Sequence, residues 1–409
     1  MELLKVDTLE EALEKLRIHT EGINSHKEMV PLEKSLGRIL ATDIISEENV
    51  PGFYRSTVDG FAVAAKDIQG AGENMPSFLR NLGQVEMGKE PGFSLDEGCC
   101  GYVATGAMIP KGADAVVMEE YCERFSNEEI GVYCSVPQGG NIVSPDEDIK
   151  KGQKVLERGR NIRPQDMGLL ASIGCSRVLC YKEWSVYIIS TGDELLSPDS
   201  PATRGKVRDV NTYGLLGLAA EMGFKVAGWQ RVHDSTEELE KAICSCREKA
   251  DVVVVSGGSS KGNKDITSEV INKLSTGGVF THGIAIKPGK PTILAVDDNH
   301  KNIMIGLPGH PVAALIVFRQ LIGGLWREKT QQKGEAYTMA TMDINLPASP
   351  GRKTFQLVKL FQDEEGNRAV PVFGKSGIIY SMSQADGYVI MDRNQEGLRK
   401  GQRVKVYFI

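Results

Sequence analysis

Three glycine-rich loops, each directly behind a run that reads as a β-strand, constrain this chain more than any other feature. They are Ser190-Thr191-Gly192-Asp193-Glu194 after residues 186–189, Ser256-Gly257-Gly258-Ser259-Ser260-Lys261-Gly262 after 252–255, and Gly306-Leu307-Pro308-Gly309-His310 after 303–305. In an open parallel α/β sheet, loops at the carboxyl ends of the strands line one crevice, and ligands bind there. Glycine lets backbone N–H groups come close to an anion, and the N-terminus of a following helix adds partial positive charge. Two of the loops also bring acids: Asp193 and Glu194 in the first, and Asp265 just after the second. Phosphate-friendly backbone beside carboxylates points to a nucleotide-like ligand handled with a divalent cation.

Strand and helix alternate regularly around these loops. A strand at 186–189 precedes a helix over 211–222 that Gly223 closes, and a strand over 225–232 leads into Ser235-Thr236-Glu237-Glu238, a capping box. The helix that follows keeps Leu239, Ile243 and Cys246 at helical spacing. The β-branched run 252–255 suits a strand buried on both faces. A strand at 303–305 and an apolar helix over 311–326 complete a doubly wound α/β domain, expected over 181–327. The flanks have a different texture. Residues 1–50 open with an amphipathic helix, apolar at Leu9, Ala12, Leu13 and Leu16 and started by the capping box Thr8-Leu9-Glu10-Glu11, and a second short helical pattern covers 31–40. Residues 51–149 are short β-like runs (60–64, 101–103, 115–119, 130–136) broken by Gly and Pro, as in a separate β-rich domain. Within 150–180 a helix over 164–173 stops at Gly174. After a polar linker at 327–334, residues 335–409 return to short strands with turns at Ser349-Pro350-Gly351, 363–367 and Gln395-Glu396-Gly397, which reads as a small β-barrel or sandwich.

Composition removes several function classes. Lys and Arg number 48 against 54 Asp and Glu, and a net charge of −6 argues against a general nucleic-acid surface. No apolar run approaches the ~20 residues of a membrane helix. The first helix is acidic rather than a signal peptide, so the cytoplasm is the expected location. Eight scattered cysteines contain no C-x-x-C, and six histidines form no H-x-H or H-E-x-x-H. Structural zinc is not expected, and the cysteines read as reduced thiols.

Each candidate site has two readings. From Gly257 the P-loop spacing reaches Gly262, but Asn263 stands where the lysine is required. No G-x-G-x-x-G follows a strand, and Gly257–Lys261 does not give G-x-S-x-G, which disfavours a dinucleotide site and a hydrolase elbow placed directly behind the strand. Polar and basic residues crowd this loop, so Gly257, Gly258, Ser259 and Ser260 read as a phosphate or pterin contact, with a purely structural turn as the other reading. Asp193 and Glu194 serve either helix capping or, with Asp265, a shared cation. Lys287-Pro288-Gly289-Lys290-Pro291 sets two lysines on a stiff turn, either a solvated hairpin tip or a small-oxyanion site. Asp59, in Ser56-Thr57-Val58-Asp59-Gly60, also reads as a turn residue before a strand.

Taken in order, these segments resemble the molybdopterin molybdenumtransferase family, called MoeA in bacteria and similar to the E domain of gephyrin. The motifs carrying the resemblance run along the whole chain: Val50-Pro51-Gly52-Phe53, residues 56–62, Thr105-Gly106-Ala107, 190–195, 207–211, 256–265, 287–291, 306–311, Gly351-Arg352, Ser376-Gly377, Ser381 and Ala385-Asp386-Gly387. The resemblance implies four units: a helical/extended one from 1–50 with 150–180, a β-rich one at 51–149, the molybdopterin-binding α/β domain, and a C-terminal β-barrel at 335–409. It implies a homodimer whose active site joins two chains, and Mg²⁺-dependent insertion of molybdate into adenylylated molybdopterin with release of AMP. A tungstate-inserting variant and a non-catalytic molybdopterin-binding paralogue are the alternatives, and transient contact with the molybdopterin adenylyltransferase is expected.

By resemblance, Glu194 and Asp265 hold the cation, with Asp59, Asp148 and Asp234 as further catalytic acids. Thr105, Asp209, the 257–260 loop, Pro308, Gly309 and Pro311 bind the pterin nucleotide. Lys287, Lys290, Arg352 and Ser381 receive molybdate, a tetrahedral dianion. The chain departs from the family pattern at Val143 (usually Arg), Asp146 (usually Gly), Ser259 (usually Val), His310 (usually Asn) and Ala313 (usually Ser). Each change alters a polar contact around the expected pocket. His310 is expected to shift the ranking of molybdate against tungstate.

Overall fold

The computed structural model describes residues 6–23, 25–257, 266–364 and 366–409, so Gly258, Ser259, Ser260 and Asp265 lie outside the described residues. The valine run sits at the centre of a six-stranded sheet. Its strands are β1 (Ser185–Thr191), β2 (Lys225–Val232), β3 (Val252–Ser256), β4 (Thr281–His282), β5 (Ile293–Asp297) and β6 (Asn302–Leu307), in the order β2-β1-β3-β6-β5-β4. β2, β1, β3 and β6 run parallel, and β5 and β4 extend the sheet antiparallel. Successive side chains of a strand point to opposite faces. Val252 and Val254 accordingly share a core with α1 (Asn211–Glu221) and α4 (Pro311–Lys329), while Val253 and Val255 pack with α2 (Thr236–Cys246) and α3 (Ile266–Leu274). Both faces are covered, which is why β3 carries no polar alternation.

The N-terminal helix Leu9–His19 forms where its capping box predicts: Thr8 Oγ1 accepts from the Glu11 N–H at 3.1 Å and Glu11 Oε2 from the Thr8 N–H at 2.7 Å. It buries Leu9, Ala12 and Leu16 in the same core as α1 and α4. The helical pattern at 31–40 is corrected. Only one short turn, Leu32–Lys34, is helical, and it follows a strand, Lys27–Pro31, that pairs antiparallel with Arg177–Tyr181. Ile39 and Leu40 instead bridge to Asn161 and Cys180. Backbone pairing with residues more than a hundred positions away outweighs the local periodicity. Ile44–Ile45 likewise pairs with Lys154–Leu156, and Val30, Leu40, Leu156, Ile162 and Leu170 share one core.

Residues between these segments build a second six-stranded sheet, ordered Ala115–Met118, Gly60–Val63, Cys99–Val103, Ser77–Gln84, Glu129–Val132, Cys122–Arg124. Ser77–Gln84 was not legible in the sequence because only Leu79 within it is buried, so it lacks period-two alternation. At the C-terminus, Lys353–Asp363, Gly366–Pro371, Tyr337–Met342, Arg403–Phe408 and Gly387–Met391 pair in turn, and the last pairs back on the first to close a small barrel. The barrel is joined to the α/β domain at several places. Ile286–Lys287 lies parallel beside Lys353–Asp363. The Tyr388 hydroxyl donates to Glu335 Oε2 at 2.5 Å and accepts from Gln320 Nε2 of α4 at 2.8 Å.

One buried ion pair outside the site gives a pH-dependent expectation. The Asp166 side chain is 3% exposed and accepts from Arg160 Nη2 at 2.7 Å and Arg160 Nε at 2.9 Å. Burial alone would raise its pKa, but the hydrogen bonds from Arg160 and Arg163 outweigh it and lower the value from 3.8 to about 2. A carboxyl lowered on folding stabilises fully above its unfolded value and loses that contribution as pH falls through the folded value. Asp166→Asn is expected to cost about 2 kcal/mol at neutral pH, from a shift of nearly two pKa units. Urea melts of both proteins should show the gap narrowing from about pH 4 towards pH 2.

Candidate functional site

The described parts of the glycine loops, the second through Gly257, meet at the carboxyl ends of β1, β3 and β6. Gly257 has φ +109°, and a Cβ there would lie 2.1 Å from the Thr191 carbonyl oxygen, so only glycine fits against the end of β1. A Cβ on Gly309 would stand 3.9 Å from Gly257 Cα, which puts the β3 and β6 loops side by side. Asn211, the first residue of α1, ties them together, donating from Nδ2 to Ser256 Oγ at 2.6 Å and to the Gly309 carbonyl at 2.9 Å. Its Oδ1 is buried without a partner among the described residues.

The acids beside these loops separate by role. Asp193 accepts from the Asp234 N–H at 3.3 Å, and its Oδ1 lies 3.1 Å from His233 Nδ1, so it organises the turn. Glu194 lines the cavity described below. Asp234 lines it too, with Oδ1 accepting from the Thr191 hydroxyl at 2.6 Å. Asp209 is buried and occupied: it accepts from Ser190 Oγ at 3.3 Å, from the Thr212 N–H at 3.0 Å and from Thr212 Oγ1 at 2.6 Å, which caps α1.

The opposing wall is cationic. Lys287 Nζ donates to Ser349 Oγ at 2.8 Å. Gly289 has φ +124°, and a Cβ on it would meet Val317 Cγ2 of α4 at 2.5 Å, so the Pro-Gly turn is pressed onto the helix. Arg352 is exposed at the edge of the barrel. Ser381 is buried, with its hydroxyl donating to the Ile378 carbonyl at 2.7 Å. The barrel loop is stitched to the start of α4 by the Val312 N–H donating to the Ser376 carbonyl at 3.2 Å and by His310 Nδ1 lying 2.8 Å from Ser376 Oγ.

Between the two walls is one cavity of about 1070 Å³. It is lined by Glu194, Asp234, Gly257, Pro308 and Gly309 from the α/β loops, and by Lys287, Lys290, Arg352 and Ser381 from the other side. Those expected site residues are thus brought together. Asp59, Thr105 and Asp148 are not: they lie on the β-rich region, exposed, with Asp59 Oδ1 accepting from the Thr105 N–H at 2.7 Å. Pro311 is buried in the first turn of α4 and does not line the cavity. Sequence reasoning passed over Asn211, Gln356 and Lys375; the latter two line the cavity. Asn211 and Ser376 sit inside motifs already singled out, but nothing in their spacing shows which loop each one reaches.

Comparison with known proteins accounts for nearly the whole chain. Residues 7–174 match the MoeA N-terminal region (domain I and II), 187–327 a probable molybdopterin binding domain, and 339–409 the MoeA C-terminal region (domain IV). The chain is 33% identical to the molybdopterin molybdenumtransferase of Haemophilus influenzae over 98% of each sequence, and 32% identical to that of Bacillus subtilis over 93% of this chain and 90% of the other. Among solved structures, a molybdopterin biosynthesis MoeA protein from Pyrococcus horikoshii superposes with a TM-score of 0.81 at 36% identity, covering 99% of both chains. This chain belongs to the MoeA family of molybdopterin molybdenumtransferases, enzymes of molybdenum cofactor biosynthesis.

Proposed function

We propose that the chain inserts molybdate into adenylylated molybdopterin with release of AMP, using Mg²⁺. The observation that carries this reading is the polarity of the one cavity: glycine backbone with Glu194 and Asp234 on one wall, Lys287, Lys290 and Arg352 on the other. A pterin nucleotide needs close backbone approach for its phosphates, and a tetrahedral dianion needs fixed cations. The donor set fits Mg²⁺, which is held by one or two carboxylates plus substrate phosphates rather than by an all-protein cage. Glu194 and Asp234 are such carboxylates, and among the described residues no group of three or more His, Cys, Asp or Glu is placed to hold a metal. When bound, the ion neutralises charge on the phosphoanhydride oxygens. Asp265, the carboxylate expected to share it, lies outside the described residues. Release of AMP from adenylylated molybdopterin on addition of molybdate and Mg²⁺ is the direct test; binding of the nucleotide without AMP release would leave a non-catalytic paralogue.

Lys287→Ala and Lys290→Ala are each expected to weaken molybdate binding by about 1.5–3 kcal/mol, the range for hydrogen bonds to charged groups. Their effect on pterin-nucleotide binding should be much smaller, because the glycine loops stand on the opposite wall. Calorimetry with molybdate alone and with nucleotide alone separates the two.

The proposal includes a homodimer. Asp59, Thr105 and Asp148 are exposed on the β-rich region and absent from the cavity of their own chain. A second copy would let them complete the neighbouring site. Light scattering is expected to give twice the chain mass, and a monomer at every concentration removes this part of the reading. All eight cysteines are unpaired and no helix among the described residues is long and apolar enough to cross a membrane, which fits the reducing cytoplasm.

A further inference from the structure

His310, which replaces the Asn usual in the motif, stands at the junction of α4 and the barrel. It is the residue before α4, yet its side chain makes no capping bond to the helix. Instead the ring turns to the barrel: Nδ1 lies 2.8 Å from Ser376 Oγ, and a Cβ on Gly377 would stand 3.6 Å from Cδ2 and 3.8 Å from Nε2. The ring is exposed and lines the same cavity as the oxyanion wall.

The partner decides what the ring can do. A hydroxyl both donates and accepts. When the imidazole is neutral, Ser376 can donate to Nδ1; when it is protonated, the hydroxyl rotates and accepts from Nδ1–H. The link to the barrel survives either way, so the ring can gain and lose a proton without leaving its place. Protonation leaves Nε2 as an N–H donor carrying part of a full positive charge. The charged groups lining the cavity with it are Lys287 and Lys290 on the Pro-Gly turn, Arg352 and Lys375 on the barrel, and Glu194 and Asp234 on the α/β loops. The cations outnumber the acids, and a tetrahedral dianion bound among them would favour the imidazolium over the imidazole.

We infer that His310 makes oxyanion affinity in this chain proton-dependent: the imidazolium, held by Ser376, is a further cationic donor to the dianion. The inference rests on the reading of this cavity as the molybdate site. An asparagine at this position, the residue usual in the motif, has a similar polar reach but takes no proton.

The test is calorimetric titration of the full chain with molybdate alone, across the range where imidazoles titrate, about pH 5 to 8. Native affinity is expected to fall about fivefold from the acid to the neutral end, as for one partly exposed charge pair. His310→Asn and His310→Gln should each give a nearly flat profile while keeping the native melting curve. A slope in both variants equal to the native slope overturns the inference. The outcome is independent of turnover: failure of AMP release with intact proton-dependent binding counts against the proposed reaction and not against His310, and absence of any molybdate binding by the native chain overturns both.

Discussion

Glu194→Gln is expected to lower AMP release about a hundredfold, with the melting curve unchanged. Removing one preorganised group at a reacting centre costs about 3 kcal/mol in the barrier, which is that factor in rate. Glu194 is exposed and lines the cavity, its carboxylate has no hydrogen-bond partner among the described residues, and glutamine keeps its volume. Asp193 behaves as its contrast. It organises the turn through Asp234 and His233, so Asp193→Asn should act on loop order before it acts on chemistry. Steady-state AMP release for Glu194→Gln within a few-fold of native would return this acid to helix capping, the other reading its sequence context allowed.

Gly257→Ala is expected to be the most damaging single substitution in the α/β domain. The added methyl would stand 2.1 Å from the Thr191 carbonyl oxygen, and the residue would have to hold φ +109°. The obstacle is backbone at the end of a central strand, so no flexible side chain can yield. Backbone strain of about 1–3 kcal/mol combines with overpacking of about 1–3 kcal/mol. Together they approach the smaller values of a domain's total stability. Chemical denaturation followed by near-ultraviolet circular dichroism is expected to show a loss of at least about 3 kcal/mol, and pterin-nucleotide binding should disappear with it. Gly309→Ala is a useful companion, since a Cβ there would meet nothing closer than 3.9 Å among the described residues. A mild effect at Gly309 beside a severe one at Gly257 would show that β1–β3 packing, rather than glycine content, holds the loops.

Local sequence was informative wherever an element's own residues decide its state. The valine run of β3 is apolar throughout because both of its faces are covered, and that uniformity is readable without knowing what covers it. The capping box at Thr8 fixes a helix start through bonds between residues three apart. The segment at 31–40 misleads for the opposite reason: Ile39 and Leu40 take their backbone partners from Asn161 and Cys180, which no local window contains. Ser77–Gln84 is invisible for a related reason, being held by its sheet neighbours while burying only Leu79.

The same division runs through the site. Sequence by itself determined that Glu194, Gly257 and Gly309 lie on one crevice, because parallel strands deliver their carboxyl ends to one edge. It also determined that Lys287 and Lys290 share a stiff turn. Only the tertiary structure decided that this turn faces the glycine loops. It does so because Ile286–Lys287 is captured beside a barrel strand, Ile286 pairing with Lys353 sixty-seven positions later. It decided as well that Asp209 is consumed in capping α1, that Asn211 bridges two loops, and that His310 reaches across to Ser376. Residue type sets what a side chain can offer, whereas its partner is set by the tertiary fold: within the α/β domain for Asn211, and across to the barrel for His310.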